Sequence, residues 1–393
     1  MKIIAFYLPQ FHTIPENDEW WGKGFTEWTS VRKAKPLFDG HCQPKVPLNN
    51  NYYNLLDDDV KIWQAKLAKM YGIYGFCYYH YWYNGKMLLE KPMEQMLANE
   101  KIDIPFCIWW CNHAWTKAWV GDDKKVLISQ KYGDENEWIE HYKYLRKFFL
   151  DKRYIIKNNR PILGIYNPVP MVNIRDMKEC WNSLAKKDGF DGIDLMCTIT
   201  SYSGVKAYHN IYDSFDHFVE WGFSLAAERD HISNRGKIKS LLVEFKNFIN
   251  SKYEKITGHP LTAIDWAKDF KMKLNNNKVI KKYDYDKIWN YIILTKPYSK
   301  KSIPAAFVNW DNTARYGISG SVMVNDSPLK FEKYLSKQIV NAKENYNSDM
   351  IFLQAWNEWS EWSVLEPEQE NGYAYLEAVK NALISNNEFP SNE

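Results

Sequence analysis

Short runs of apolar residues alternate along the chain with longer segments in which apolar residues recur every three or four positions. The short runs predict strands, and eight of them can be counted: Lys2–Tyr7, Gly75–Tyr81, Pro105–Trp110, Ile162–Tyr166, Leu195–Thr200, Phe218–Trp221, Ala305–Trp310 and Ile351–Trp356. The longer segments predict helices at Asp58–Met70, Glu135–Phe149, Asp176–Lys187, Leu329–Lys343 and Tyr373–Leu383. The chain therefore belongs to the α/β class.

This alternation favours a closed barrel. Strands that are apolar on both faces need helices on one side and a packed interior on the other, and eight such units predict a (β/α)8 TIM barrel. A doubly wound sheet is the alternative, but it usually has a glycine-rich phosphate turn after its first strand. Here that turn, Leu8–His12, contains no glycine.

One stretch interrupts the alternation. Residues 224–300, between the sixth and seventh strands, carry 16 Lys or Arg against 8 Asp or Glu and include helix-like runs at Ile238–Phe248 and Tyr283–Leu294. We expect one catalytic domain over residues 1–393 with a basic helical insertion at 224–300. A solvated insertion is the simplest interpretation, and peripheral contact with a membrane surface or an anionic glycan is the alternative.

Composition narrows the class of partner. The 51 basic and 48 acidic side chains leave a formal charge of +3, too small to indicate a nucleic-acid-binding protein. Aromatic residues make up 16% of the chain, which argues against disorder and indicates either a large core or a surface for flat, partly apolar ligands. The sequence does not predict an oligomeric state.

Neither a membrane segment nor a metal site is expected. No window approaches the roughly 18 consecutive apolar residues of a membrane span, and the first residues lack a signal-peptide cleavage site, so a cytoplasmic location is predicted. The six cysteines have no zinc-site spacing, so we expect no metal and no cofactor.

The eighth predicted strand runs into the segment with the clearest chemistry. Glu358 and Glu361 follow it, interleaved with tryptophans. In a continuing strand these two side chains would point to opposite faces, but a turn after Trp359 would bring both carboxyl groups to one pocket. An apolar wall should push their pKa values apart, and an acid beside a base is what cleavage of a glycosidic bond requires.

Polar and aromatic residues also follow the other strands, at the end where such barrels carry their active sites. Aromatic rings stack on the apolar faces of sugars, while amides and charged groups bind hydroxyls. The predicted substrate-binding residues are Tyr7, His12, Glu27, Trp28, Tyr79, Tyr81, Trp82, Trp109, Asn112, Trp115, Trp310, Asp311, Arg315, Trp356, Asn357, Trp359 and Trp362.

Two alternatives stay open for this set. Since strand residues alternate between faces, about half of any aromatic run must face the helices instead of a pocket. Asp311 and Arg315 could pair with each other, and Glu27 could be a contact within its own loop.

The chain resembles a known family, the glycoside hydrolase family 99-like proteins of the WbsX type. Those proteins occur among bacterial lipopolysaccharide and capsule genes and are often labelled glycosyltransferases. The motifs that carry the resemblance are Ala5–His12, Gly24–Trp28, Lys33–Phe38, Tyr78–Trp82 with Asn84-Gly85, Trp310–Thr313 with Arg315, and Trp356–Glu361 with Leu365–Pro367.

The resemblance implies a (β/α)8 fold and a retaining, endo-acting glycosidase, metal-independent, with a bacterial surface polysaccharide of O-antigen or capsule type, mannose-like in its sugars, as the partner. It implies that Glu358 is a base acting on the sugar's 2-hydroxyl, which closes to a 1,2-anhydro sugar, and that Glu361 is the general acid/base. A direct carboxylate nucleophile is the other mechanism.

Two departures from the family pattern concern the pocket. Relatives usually have glycine where this chain has Trp362, and Asn-Glu-Asn-Trp where it has Asn112–Trp115. The substrate of a relative therefore does not transfer directly.

Two other function classes compete with a hydrolase. A glycosyltransferase of lipopolysaccharide or O-antigen biosynthesis often holds a metal on an Asp-x-Asp motif, and Asp57–Asp59 and Asp284–Asp286 fit that pattern, although both also fit helix N-termini. A non-catalytic glycan-binding protein would need the aromatics but not two neighbouring carboxyl groups.

Overall fold

A closed barrel of eight parallel strands forms the centre of the computed structural model, which describes residues 1–117, 122–227 and 280–390. The barrel strands are β1 (Lys2–Tyr7), β2 (Ile73–Tyr83), β3 (Phe106–Trp110), β4 (Arg160–Ile165), β5 (Asp194–Ile199), β6 (His217–Glu220), β7 (Ser302–Phe307) and β8 (Met350–Gln354). Each strand pairs in parallel with both of its neighbours, and β8 pairs with β1 to close the sheet. The predicted TIM barrel is confirmed.

Helices follow the strands, and the longer ones cover the outside of the barrel. They are α1 (Pro15–Trp21), α2 (Glu27–Lys33), α3 (Asp58–Met70), α4 (Lys91–Ala98), α5 (Glu135–Phe149), α6 (Ile174–Lys187), α7 (Tyr202–Ala207), α8 (His209–Tyr212), α9 (Tyr285–Leu294), α10 (Thr313–Tyr316), α11 (Pro328–Glu344) and α12 (Ala374–Ser385). The five predicted helices are present as α3, α5, α6, α11 and α12.

Side-chain caps explain where several helices begin. Asp57 accepts a hydrogen bond from the backbone of Asp59 at the start of α3, and Asp284 accepts one from Lys287 at the start of α9. Each carboxylate thereby satisfies a backbone donor that the first helical turn leaves unpaired. Both Asp-x-Asp triplets are therefore helix N-termini.

Short strands outside the barrel were not predicted, because most of them have only two to four residues and lack a continuous apolar run. They are Lys86–Leu88, Trp115–Lys117, Asp122–Ile128, Ile156–Lys157, Lys281–Asp284, Ser321–Val324, Asn357–Glu358 and Ser363–Val364. Most pair with a neighbouring segment at the carboxyl end of the barrel strands, where they shape the loops.

The end of the predicted insertion is part of the barrel. Helix α9 buries Trp289, whose ring stacks on Phe307 of β7 at 5.0 Å and on Tyr334 of α11 at 5.5 Å. It is the regular helix between β6 and β7. The predicted helix at Ile238–Phe248 lies within residues 228–279, which are outside the described part of the chain.

Large aromatic rings fill the barrel. Trp109 of β3 lies edge-on to Phe6 of β1 and to Phe352 of β8, with ring centroids 5.3 Å apart in both cases. Gly164 of β4 leaves the space for this indole, because a Cβ built there would lie 1.8 Å from the Trp109 ring. The interior is a packed core.

No helix in the described ranges is long and apolar enough to cross a bilayer. The cytoplasmic location expected from the sequence stays a prediction.

The close approach at Gly164 predicts a stability effect. Gly164→Ala should force the buried Trp109 ring out of its place and lower the free energy of unfolding by about 3 kcal/mol, the upper range for overpacking. Gly204→Ala is the control, since its added Cβ would meet the nearest atom at an ordinary 3.8 Å. Urea denaturation should show the loss for the first variant alone; equal stability of the two would contradict the account of the barrel interior.

Candidate active site

A cavity of about 380 Å³ opens at the carboxyl ends of the barrel strands. We call it the central cavity. Its wall combines aromatic rings from several strand ends with charged groups from the β7 and β8 sides; the lining includes Tyr79, Tyr81, Trp115, Tyr166, Trp221, Trp310, Arg315, Glu358 and Glu361. This is the end of the barrel at which TIM-barrel enzymes carry their active sites.

A tight reversal after β8 brings both glutamates to the cavity. Asn357–Glu358 pairs in antiparallel fashion with Ser363–Val364, and a 3-10 turn, Trp359–Glu361, connects the two short strands. The period-two alternation of a strand therefore ends at Glu358. Glu358 and Glu361, three residues apart, line one cavity as a turn after Trp359 would require.

Glu358 is nearly enclosed. The residue is 6% exposed, and its Oε1 accepts a hydrogen bond of 2.8 Å from the hydroxyl of Tyr79. Burial, followed by the charge of Glu361, raises the pKa of the Glu358 carboxyl well above its ordinary value, whereas Arg315 and Tyr79 act in the opposite direction. Glu358 therefore holds a proton more tightly than a solvated glutamate does.

Glu361 has a charged partner. Nη1 of Arg315 forms an ion pair with its Oε1, and Nη2 of the same guanidinium lies 3.2 Å from Oε1 of Glu27. Nε of Arg315 donates to the hydroxyl of Ser360, which directly precedes Glu361. One guanidinium thus contacts Glu361 and its neighbour in the turn.

Glu27, predicted as a sugar contact, lies behind this turn. It is 0% exposed, and its Oε1 accepts hydrogen bonds from the backbone N–H of Ser360 at 2.8 Å and from the Ser360 hydroxyl. It does not line the central cavity. Its position at the start of α2 lets it hold both Ser360 and Arg315 from outside the cavity.

Seven of the predicted site residues line the central cavity together. They are Tyr79, Tyr81, Trp115, Trp310, Arg315, Glu358 and Glu361. Their roles stay predictions, but the placement puts two carboxyl groups, one guanidinium and four aromatic rings around one space, a combination suited to a sugar.

Three predicted strand residues lie away from the central cavity, two of them because side chains alternate between the faces of a strand. The hydroxyl of Tyr7 donates to Gln64 of α3, outside the barrel, at 2.6 Å. Trp82 donates to Glu137 and stacks on His141 of α5 at 4.4 Å, again on the helix side. Trp109 lies in the barrel interior, as described above. None of the three lines the central cavity.

Four predicted loop residues hold the backbone in place. Nδ1 of His12 lies 3.1 Å from the carbonyl of Pro9, and the indole of Trp28 donates to the carbonyl of Tyr53 at 2.8 Å. Asn112 bonds to the backbone of Asn167 in both directions, at 2.6 and 2.7 Å. Asn357 does the same with Leu8, at 3.0 and 2.7 Å. Asn112 and Asn357 thereby connect the ends of neighbouring strands, whereas His12 and Trp28 bind within the connection after β1, and none of the four lines the central cavity.

Trp356 and Trp359 share a buried acceptor, Glu366. Their indole N–H groups donate to its carboxyl at 3.0 and 2.7 Å, and Tyr53 and Gln64 donate to the same group. Burial raises the pKa of Glu366 to about 7, against the four hydrogen bonds, which favour its ionised form. Both tryptophans therefore anchor the turn from behind.

Asp311 and Trp362 line a neighbouring cavity of about 410 Å³. Asp311 accepts hydrogen bonds from His41 at 2.8 Å and from Gln43 at 2.7 Å, so it is not the partner of Arg315. The ammonium of Lys45 lies 4.0 Å from the centre of the Trp362 ring. Trp362, a predicted substrate-binding residue, thus lies outside the central cavity.

Several lining residues were missed. Tyr166 and Trp221 come directly after β4 and β6, so the rule that strand ends carry the site could have identified both. Cys111, Tyr316 and Gln354 also line the cavity. Glu366 belongs to the Leu365–Pro367 motif, but no pattern in the sequence indicated that it accepts two indoles.

Within the described ranges, no three His, Cys, Asp or Glu side chains are grouped so as to hold a metal ion.

Comparisons with known proteins agree with this architecture. The family model described as "Glycosyltransferase WbsX" matches residues 3–379. The protein WxcX of Xanthomonas campestris pv. campestris, described as uncharacterized, is 31% identical over 383 residues, which are 97% of this chain and 49% of that protein. The chain spans about half the length of the curated relatives it matches.

Solved structures show the same fold at low identity. The GH99 endo-alpha-mannosidase from Bacteroides thetaiotaomicron is 11% identical, with a TM-score of 0.52 over 98% of this chain and 96% of that one. A glycoside hydrolase-like protein is 12% identical, with a TM-score of 0.54 over 97% and 93% of the two chains. At these identities the likeness concerns the fold.

The position of Glu27 predicts a stability effect. Glu27→Gln removes one of the two carboxylates that contact the buried guanidinium and should lower the free energy of unfolding by roughly 2 kcal/mol, the scale of a buried hydrogen bond to a charged group. Glu16→Gln is the matched control, because Glu16 lies in the same loop and pairs with the half-exposed Lys86 at 2.9 Å. Its loss should stay below about 1 kcal/mol in urea denaturation. Similar losses for both variants would show that the buried network does not stabilise the loop.

Proposed function

The chain belongs to the WbsX family, and we propose that it is a glycoside hydrolase that cleaves a bacterial surface polysaccharide at internal linkages, with retention of configuration and without a metal ion. The single observation that carries the proposal is that Glu358 and Glu361 line one aromatic cavity in different electrostatic surroundings. Cleavage of a glycosidic bond needs one carboxyl group that acts as an acid and a second that acts as a base.

The surroundings suit distinct roles for the two carboxyl groups. Glu358 is buried beside a neutral donor, Tyr79, so its raised pKa makes it the stronger base once it has lost its proton. Glu361 faces the fixed positive charge of Arg315. The base role requires Glu358 in its ionised form, which burial disfavours and which the charge of Arg315 and the hydrogen bond from Tyr79 favour.

The proposed reaction then runs in two steps. Glu358 takes the proton of the sugar's 2-hydroxyl, the oxygen bonds to the anomeric carbon, and the leaving oxygen departs with the proton of Glu361. Water next opens the 1,2-anhydro sugar, giving one proton to Glu361, while Glu358 returns its proton to the 2-oxygen. Two displacements at one carbon retain the configuration.

The substrate class follows from the walls of the cavity and from the relatives. Tyr79, Tyr81, Trp115 and Trp310 offer rings for the apolar faces of sugars. The solved GH99 neighbours act as endo-alpha-mannosidases, which supports mannose-like units in an O-antigen or capsule polymer. The two Asp-x-Asp triplets cap helices, so the glycosyltransferase function named in the family description finds no support in them.

Incubation of the protein with O-antigen and capsule polysaccharides in EDTA should release new reducing ends. The mean length of the polymer should fall early in the reaction, because the enzyme cleaves internal linkages. Glu358→Gln and Glu361→Gln should each lower kcat by about a thousandfold, the scale of lost acid–base catalysis. Proton NMR of the first products should show the anomer of the substrate. No cleavage across the panel, together with sugar transfer from a nucleotide sugar, would make the protein a transferase instead.

An aryl glycoside with a good leaving group serves as the control for the roles in that experiment. Departure of such a group needs no proton, so activity of Glu361→Gln should partly recover on it and that of Glu358→Gln should not. The opposite result would exchange the roles of the two residues.

The hydrogen bond from Tyr79 predicts a change in pH dependence. This bond lowers the pKa of Glu358, so Tyr79→Phe should raise it and move the acidic limb of the kcat/KM profile to higher pH by about half to one unit, the equivalent of one hydrogen bond. Tyr81→Phe, with its hydroxyl beside Cys111, is the control and should leave that limb in place. An unshifted limb in Tyr79→Phe would exclude Glu358 as the base seen in the profile.

A further inference from the structure

A second cavity of comparable size lies on the other side of the turn that carries the two glutamates. It has a volume of about 420 Å³, and its wall is formed by residues 47–51, Tyr53, Trp63 of α3, Trp359, Glu366, Pro367 and Tyr373 before α12. We call it the outer cavity. It shares no lining residue with the central cavity, since Glu358 and Glu361 line one and Trp359 lines the other.

The outer cavity has the composition of a carbohydrate site. Four aromatic side chains line it, and the amides of Asn49, Asn50 and Asn51 lie beside them. These three side chains form no hydrogen bond within the described part of the chain, so their donors and acceptors are available to a ligand. Rings that stack on sugars next to amides that bind hydroxyls are the usual pairing in sugar recognition.

The loop that presents the amides is held in one conformation. Asn49 and Asn50 both have φ of 56°, a left-handed conformation that asparagine tolerates better than most residues. The backbone N–H of Leu48 donates to the carbonyl of Pro367 at 3.0 Å, which fixes the loop to the segment after the turn. A fixed loop loses little conformational entropy when a ligand binds.

Charge narrows the class of ligand. Among the residues that the structure describes, no lysine, arginine or histidine lines the outer cavity, and its carboxyl group, Glu366, is already bonded to four donors. An anionic sugar would find no counter-charge there. The volume falls within the range of about 300–1,000 Å³ typical of small-molecule sites, enough for a short segment of neutral hexoses.

We propose that the outer cavity is a second carbohydrate-binding site, which holds a neutral segment of the polymer while another segment occupies the central cavity. This inference rests on the proposed carbohydrate substrate but assigns a site separate from the reacting groups. Trp359 is its connection to them, because this residue begins the turn that ends at Glu361. Two sites on one chain would raise the local concentration of the polymer at the second.

Fluorine NMR of protein labelled with 5-fluorotryptophan can test the two sites separately. Trp63 reports on the outer cavity and Trp310 on the central one, with Trp63→Phe and Trp310→Phe to assign the signals. The probes are neutral tetrasaccharides of mannose, galactose and glucose, with a sialic acid oligomer as the anionic comparison, each up to about 10 mM, where weak sugar binding is visible. Glu361→Gln prevents cleavage during the titration.

We expect at least one neutral probe to shift both signals and the anionic oligomer to leave Trp63 unchanged. Asn51→Ala combined with Tyr373→Ala should weaken the response of Trp63 at least tenfold and leave that of Trp310, whereas Tyr208→Ala, an exposed tyrosine of another loop, should change neither. A shift of Trp310 alone would overturn the outer site and leave the proposed function standing. A shift of Trp63 alone would support the outer site against the proposed function, and no shift at either would overturn both.

Discussion

The buried guanidinium of Arg315 holds in place the turn that carries Glu358 and Glu361. Arg315 comes from the loop after β7, Glu27 from the loop after β1, and Glu361 from the turn after β8. These strands are neighbours in the closed sheet, so a single side chain can contact both adjacent loops. A charge removed from water has to be paired, and this requirement fixes three loops to each other at the edge of the cavity.

The turn is held from two sides. Glu27 and Arg315 bind Ser360, and Glu366 binds the indole of Trp359. The intervening residues therefore have little freedom, and the carboxyl groups of Glu358 and Glu361 keep their direction without a ligand. Such preorganisation is what electrostatic catalysis depends on, since groups that are already oriented need not reorganise during the reaction.

The fold could be predicted because its signals are local. Apolar runs and helical periods placed all eight strands within three residues of their observed bounds, and the α9 helix was assigned to an insertion only because its neighbour in sequence is long and basic. The site was harder, because alternation decides which half of an aromatic run faces the cavity. Tyr79 and Tyr81 face it while Trp82 faces α5, and no property of the rings distinguishes them. Networks such as that of Glu366 join residues 302 apart in sequence and leave no local pattern.

Trp362 adopts a left-handed backbone conformation, with φ of 50°, at the position where the resemblance to the family leads us to expect glycine. A backbone of that geometry accepts glycine without strain and accepts a large side chain only at some cost. The indole of Trp362 leaves the turn toward Lys45, away from Glu358 and Glu361. The side chain at position 362 can therefore change without moving the two carboxyl groups. A change of side chain at position 362 would therefore alter the neighbouring cavity and leave the central cavity as it is.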